Sequence, residues 1–312
     1  MVLLAAAAML ASSFVRLSNQ ETGFRSDHVW AAGIGLRQQE DIPDPASRAR
    51  FAQRLVEEVQ TSPGVEVAAT VDAVPLSGNY SQTPYARTDG NPLPVNQRPL
   101  GLTRSISPGY FRALRIPLLA GREFTERDGA DGPLVVILSS STAKRLFPNE
   151  NPLGKQLLFG VDNGNGLVAE VVGVVGDVRS RELAKTNDVE FYRPWPQRSV
   201  SFFNVIVRTS MNPEAAAPMV RAALDRIDKE MPILQPNTLD TIVAQSLGQR
   251  RLTMGLLGAF AGAALCSRLS EYMVRSPTRW NNAPPKSVCE WHSALRSKDV
   301  LRLVVRQGWT RF

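Results

Sequence analysis

Apolar residues along the chain fall into short runs of strand length, broken twice by longer stretches with a helical repeat. HVWAAGIGLR (28–37) has the length of a strand and leads into polar QQED. DPASRARFAQRLVEEVQ (44–60) places Phe51, Leu55, Val56 and Val59 at i, i+4, i+5 and i+8, one face of a helix. Asp44 is its expected N-cap, with Pro45 in the first helical position. SPG (62–64) stops the helix, and VEVAATVDAVPL (65–76) reads as a returning strand, which completes a β-α-β unit. Residues 77–97, rich in Gly, Asn, Pro and Ser, read as a loop.

A different block occupies about 98–198. It contains strand-like LVVILS (134–139), a short helix at STAKRLF (141–147), LLF (157–159) and VAEVVGVVGDV (168–178). The first pattern then repeats. FFNVIVRTS (202–210) is a strand, PEAAAPMVRAALDRIDKE (213–230) a helix with Ala217, Val220, Leu224 and Ile227 inward, and PILQPNT (232–238) a short strand. The predicted fold class is α+β: one β-α-β subdomain split in sequence around a second, inserted α/β subdomain.

Both flanks are apolar and short. Met1 to Val15 is apolar apart from Ser12 and Ser13, and LTMGLLGAFAGAAL (252–265) follows Arg250 and Arg251. A membrane-spanning helix needs about 20 apolar residues, so each is expected to be an incomplete transmembrane helix. A signal peptide is the other reading of the first stretch, and it would make the chain a secreted binding module. The absence of Lys or Arg ahead of the apolar run favours the end of a transmembrane helix. Gly255, Gly258, Ala261 and Gly262 resemble the small residues through which membrane helices pack closely.

Charge changes the picture little. The net charge of +7 is concentrated after Cys266, where nine Lys/Arg face three Asp/Glu. Residues 1–265 carry 27 basic and 26 acidic residues, so no nucleic-acid partner is expected. Both cysteines, Cys266 and Cys289, lie in the tail, and the main body has no thiol for a disulfide or a metal.

The candidate chemistry is thin. Gly154-Lys155 is followed by Gln156 and position 149 is Asn, so no phosphate-binding loop is formed. Gly164 and Gly166 read as a hairpin turn, and GVVGDV (173–178) lacks the spacing of a dinucleotide loop. His28 has no second His or Cys in the body, His292 lies in the tail, and Glu57-Glu58 reads as a solvated helix face. No catalytic, cofactor-binding or metal-binding residues are assigned, and no enzyme activity is expected.

One ordered set of phrases adds a family. SPGYFRAL, GREFTERD, FPNENPLGK and EVVGVVGDVR, with TLDTIVAQSLGQRRL after them, resemble the periplasmic core domain of MacB-type ABC permeases. They resemble in particular the long, duplicated permeases common in acidobacterial genomes. In these phrases Tyr110, Phe111 and Leu114 are expected to pack inward, Gly121 and Gly129 to allow turns, and Pro148, Pro152 and Gly154 to bend the chain. The resemblance implies a porter-like subdomain (23–97 and 199–250) around an insert (98–198), with transmembrane helices ending near 22 and starting at 251–265. It also implies the cytoplasmic (inner) membrane, a periplasmic main domain, a separate cytoplasmic ABC ATPase as driver and a permease oligomer. No cofactor is implied.

After Leu265 the family text stops, and residues 266–296 show no hydrophobic period. Reading the third base of each codon with the first two of the next returns Gly at Met273-Val274, Glu at Trp280-Asn281 and Ala at Trp291-His292. Permitted codons then restore family-like text, so 266–296 is expected to be a frameshifted segment. SKDVLRLVVRQG (297–308) resembles the family's cytoplasmic segment again, and 297–312 reads as its remnant in a truncated permease half.

Overall fold

The computed structural model describes residues 22–36, 44–89, 94–160, 166–181, 189–198 and 200–246, together with Leu256, Gly258 and Gly262. The expectations for 1–21, nearly all of 247–265 and the whole tail, including Cys266, Cys289 and His292, lie outside the described residues. Every element below belongs to one compact unit, Ala5–Gly255. Among the described residues no helix is long and apolar enough to cross a membrane.

In chain order the elements are β1 (Val29–Gly35), α1 (Pro45–Gln60), β2 (Val65–Val71), β3 (Ser81–Arg87), β4 (Leu100–Ile106), α2 (Tyr110–Leu114), β5 (Leu118–Gly121) and β6 (Val135–Ser139). Then come α3 (Ser140–Leu146), β7 (Gln156–Phe159), β8 (Leu167–Val175), β9 (Glu190–Pro194), β10 (Phe202–Thr209), α4 (Ala216–Ile227), β11 (Ile233–Thr238) and α5 (Leu239–Ser246).

The two β-α-β patterns read from the sequence interleave in space. The strand order is β11-β1-β10-β2, antiparallel at every step, which is the split β-α-β arrangement of ferredoxin-like folds. Alternation along β1 sends Trp30, Ala32 and Ile34 to one face and Val29 and Ala31 to the other. On the first face α1 contributes Phe51, Ala52, Leu55 and Val59, and α4 contributes Ala216, Val220, Ala223 and Leu224. Ala217 and Ile227, expected inward, are only partly buried. Phe51 meets Phe203 edge-on at 6.3 Å between ring centres. Asp44 caps α1 as expected, accepting a 2.8 Å bond from the Ser47 N–H.

The opposite face rests on Tyr110, Phe111 and Leu114 of α2 and on Leu239 of α5. Those aromatic residues pack inward as the family phrase implied. Gly109, at φ +89°, takes the left-handed turn into α2.

The second half of the sheet departs from the sequence reading. Residues 77–97 were expected to form a loop, yet Ser81–Arg87 is a strand. Proline at 84 hides it: Ser81–Pro84 pair with β4, and Tyr85–Arg87 turn to pair with β7. Pro84 sits where the partner changes, and only its carbonyl is used, accepting from the Gly160 N–H at 3.1 Å. The strands β4, β5 and β9 were also not foreseen from periodicity.

Six of these strands pair in a ring. β3 joins β7, β7 joins β8, β8 joins β6, β6 joins β9, and β9 returns to β4, which pairs β3. A closed ring leaves no free edges. Its interior holds Tyr85, Leu138, Leu157, Phe159, Val171 and Phe191. Tyr85 and Phe159 each meet Phe191 edge-on at 4.9 Å. β7 and β8 form the antiparallel hairpin expected around Gly164 and Gly166, although 161–165 themselves lie outside the described residues.

Candidate functional site

The two halves of the sheet meet at β2 and β4 through a single residue pair, Val71 opposite Ile106. Flanking backbone bonds, Ser107 N–H to Thr70 O and Asp72 N–H to Ser105 O at 3.0 Å each, extend the seam. The side chains gathered there are charged. Arg104 and Glu190 form a buried ion pair, Nε to Oε1 at 2.6 Å, both about 2% exposed. Arg104 Nη1 also donates to the Ala73 carbonyl, and the Ser180 hydroxyl donates to Glu190 Oε1 at 2.6 Å. Burial works against the Arg104 charge, yet Glu190, Tyr110 and Asp72 hold its pKa above the ordinary value.

One step toward the surface, Arg198 ties three segments together. Its guanidinium donates to Asp72 Oδ2 at 3.1 Å, Ser105 Oγ at 3.2 Å and Ser81 Oγ at 3.2 Å. Asp72 holds the Ala73 N–H at 2.9 Å, and its carbonyl accepts from Asn204 Nδ2 at 3.1 Å. Burial pushes the Asp72 carboxyl up, further than Arg104 and Arg198 pull it down. Tyr110 and Tyr192 sit beside the pair, and burial raises both pKa values.

A second buried cation pins α2 to the four-stranded half. Arg208 on β10 donates to Ala113 O at 2.6 Å, Asp27 O at 2.8 Å and Arg25 O at 2.9 Å. Inside the ring, Arg193 is 3% exposed, and its Nε and Nη2 have no hydrogen-bond partner. Burial pushes that guanidinium down to about 10.

These charges hold strands and turns in place; among the described residues they assemble no nucleophile and base. Among the described residues no group of three metal-binding side chains comes together. His28 lies just ahead of β1, its Nδ1 3.0 Å from the Met211 carbonyl, as a polar turn residue. Glu57 accepts from Gln53 on the surface of α1, whereas Glu58 reaches Arg226 of α4 at 2.8 Å and joins the two helices. Gly154 turns the chain at φ +78° and Lys155 pairs with Glu150 at 2.6 Å, which is surface structure. Arg104, Glu190, Arg193 and Arg198 were missed as structural centres. The available signal was charge inside strand-length text, LTRSI and VEFYRP.

Comparison with known proteins decides the family. The model of the MacB-like periplasmic core domain matches residues 2–227. The chain belongs to that family. A probable syringafactin export ATP-binding/permease protein of Pseudomonas syringae pv. tomato is 30% identical over 128 residues, covering 38% of this chain and 18% of that protein. A macrolide export ATP-binding/permease protein MacB of Aggregatibacter actinomycetemcomitans is 40% identical over 90 residues, 29% of this chain and 13% of that protein. The chain thus matches less than a fifth of the length of these curated relatives. Its structure is similar to the periplasmic region of MacB from Actinobacillus actinomycetemcomitans, with a TM-score of 0.47 and 18% identity over 74% of this chain and 97% of that one.

Proposed function

We propose that this MacB-like core domain stands outside the cytoplasmic membrane as part of the permease component of an ABC-type export or mechanotransmission system. A separate cytoplasmic ATPase drives it, and the segments around 1–22 and 251–265 connect it to the membrane. The observation that carries this reading is the family match over residues 2–227. The export ATP-binding/permease names of the relatives support it. The four-stranded half, made of two sequence segments, takes the porter-like role, and the ring is the inserted subdomain. The pairing of β3 with β4 and β7 favours starting the insert near residue 78 rather than 98.

On this reading the domain performs no chemistry. Its task is to carry displacement, and the bonds that cross the seam, from Arg104 to the Ala73 carbonyl and from Arg198 to Asp72, help to keep the two halves moving together. The test is to purify the tagged chain from membranes of its own host in mild detergent and assay vanadate-sensitive ATP hydrolysis. Co-purification of an ABC ATPase is expected. A chain found only in soluble extracts, with no ATPase bound, contradicts the reading.

A further inference from the structure

A cleft of about 390 Å³ opens beside the four-stranded half, between the β1–β11 edge, the turn after β2 and α5. Five carboxamides line it: Asn79, Asn204, Gln235, Asn237 and Gln245. Among the described residues no carboxylate does, and the one charged side chain is Arg181, whose guanidinium lies over the Tyr80 ring at 4.3 Å. Among the described residues only Asn204 of the five has a protein partner for its carboxamide, the Asp72 carbonyl. Each carboxamide offers both donors and an acceptor.

The aromatic wall is Phe202, 38% exposed. Its ring lies across Gly33, where a Cβ would stand 2.6 Å from Phe202 Cζ. The missing side chain on β1 therefore lets the ring lie against the strand and face the cleft. Two of the four described non-glycine residues with positive φ, Leu76 and Gln235, line the same cleft. Such backbone concentrates where a site fixes a side-chain direction. Gln235 also lies in a bulge, because pairing of β11 with β1 shifts between Ala31 and Gly33, and bulges re-aim side chains.

We propose that this cleft binds a neutral, polyhydroxylated ligand, a short segment of saccharide chain. Hydroxyl groups donate and accept as carboxamides do, and the C–H face of a sugar ring packs on an aromatic face such as Phe202. An inorganic anion would meet one cation, Arg181, and leave the carboxamide oxygens without donors, so phosphate is a control in the test. An extended peptide fits poorly as well. β11 is the edge strand, and Pro236 and the bulge blunt it against strand addition.

The test is isothermal titration calorimetry of the full chain with chitotetraose, cellotetraose and maltotetraose, with phosphate and blocked tetra-alanine as controls. Saturable binding of at least one saccharide is expected. Phe202→Ala should weaken it roughly 10-fold. Because Phe202 also packs on Gly33, the double variant Asn79→Ala/Gln245→Ala, at two exposed positions, must weaken it too, with an unchanged circular dichroism spectrum. Absence of binding to all three saccharides, binding that neither variant alters, or binding of only a control overturns the proposal.

Discussion

The four-stranded half and the six-stranded ring solve the same problem of burial in opposite ways. The open sheet needs covers on both faces: α1 and α4 on one, α2 and α5 on the other. The ring encloses its own core and needs little helix. The open sheet ends at β11 with an exposed edge, blunted by Pro236, whereas the six ring strands close on one another and only short β5, which pairs β8 alone, has an edge there. The contrast extends to charge. The open sheet buries Arg208 with three carbonyl partners, while the ring holds Arg193 with two nitrogens unpartnered. The halves are joined by one strand pair, by a polar seam and by a shared apolar core, in which Val71 and Ile206 of the open sheet cluster with Ile106, Val135, Ile137, Val175 and Tyr192 of the ring strands.

The strongest way to break this comparison is to strand one charge of the seam. Arg104→Met leaves Glu190 buried and unpaired, which should cost about 3–5 kcal/mol of unfolding free energy in urea. The double variant Arg104→Met/Glu190→Leu should recover most of that loss, because apolar replacement of a buried pair is often neutral or better. A double variant as unstable as the single one would show that the loss comes from Arg104's bond to the Ala73 carbonyl rather than from the stranded Glu190.

Next come paired truncations, one in each half. Leu55→Ala under α1 should cost about 2–5 kcal/mol and Phe159→Ala inside the ring about 3–5 kcal/mol. If the seam couples the halves, each variant shifts a single unfolding transition seen by all probes. Two separated transitions would mean that the halves unfold independently.

The smallest effect is one of pH. The Asp72 carboxyl is raised in the folded protein by burial. The folded state therefore holds its proton more tightly than the unfolded chain, whose Asp titrates near about 3.9. Stability from this group is full below that value and falls as pH rises through the raised folded one. Asp72→Asn removes the slope, so its urea midpoint should gain on the wild type between pH 4 and pH 7. A constant difference across that range would show that Arg198 fully compensates the burial.

The sequence revealed the open half better than the ring, for a physical reason. Helix α1 and strands β1, β2 and β10 carry apolar residues at the period of their element, so Phe51, Leu55 and Val59 were legible as a core face. The ring strands carry Pro84 in β3, Arg104 in β4 and Glu190 and Arg193 in β9, polar text that reads as loop until closure buries it. The two β-α-β patterns were visible, but their interleaving depends on long-range pairing that local periodicity does not encode. The absence of an assigned catalytic residue left the junction unmarked, since its charged groups hold structure together and make no spaced motif. The saccharide cleft was equally hidden, because its five carboxamides come from distant parts of the chain.

The measurement that tests the central claim most directly is the side of the membrane on which the domain stands. With Cys266 and Cys289 replaced by Ser, Glu57→Cys offers one exposed thiol on α1. A maleimide that does not cross the cytoplasmic membrane should label it in intact cells as fully as after lysis. Labelling that appears only once the cells are broken would place the domain inside and contradict the account.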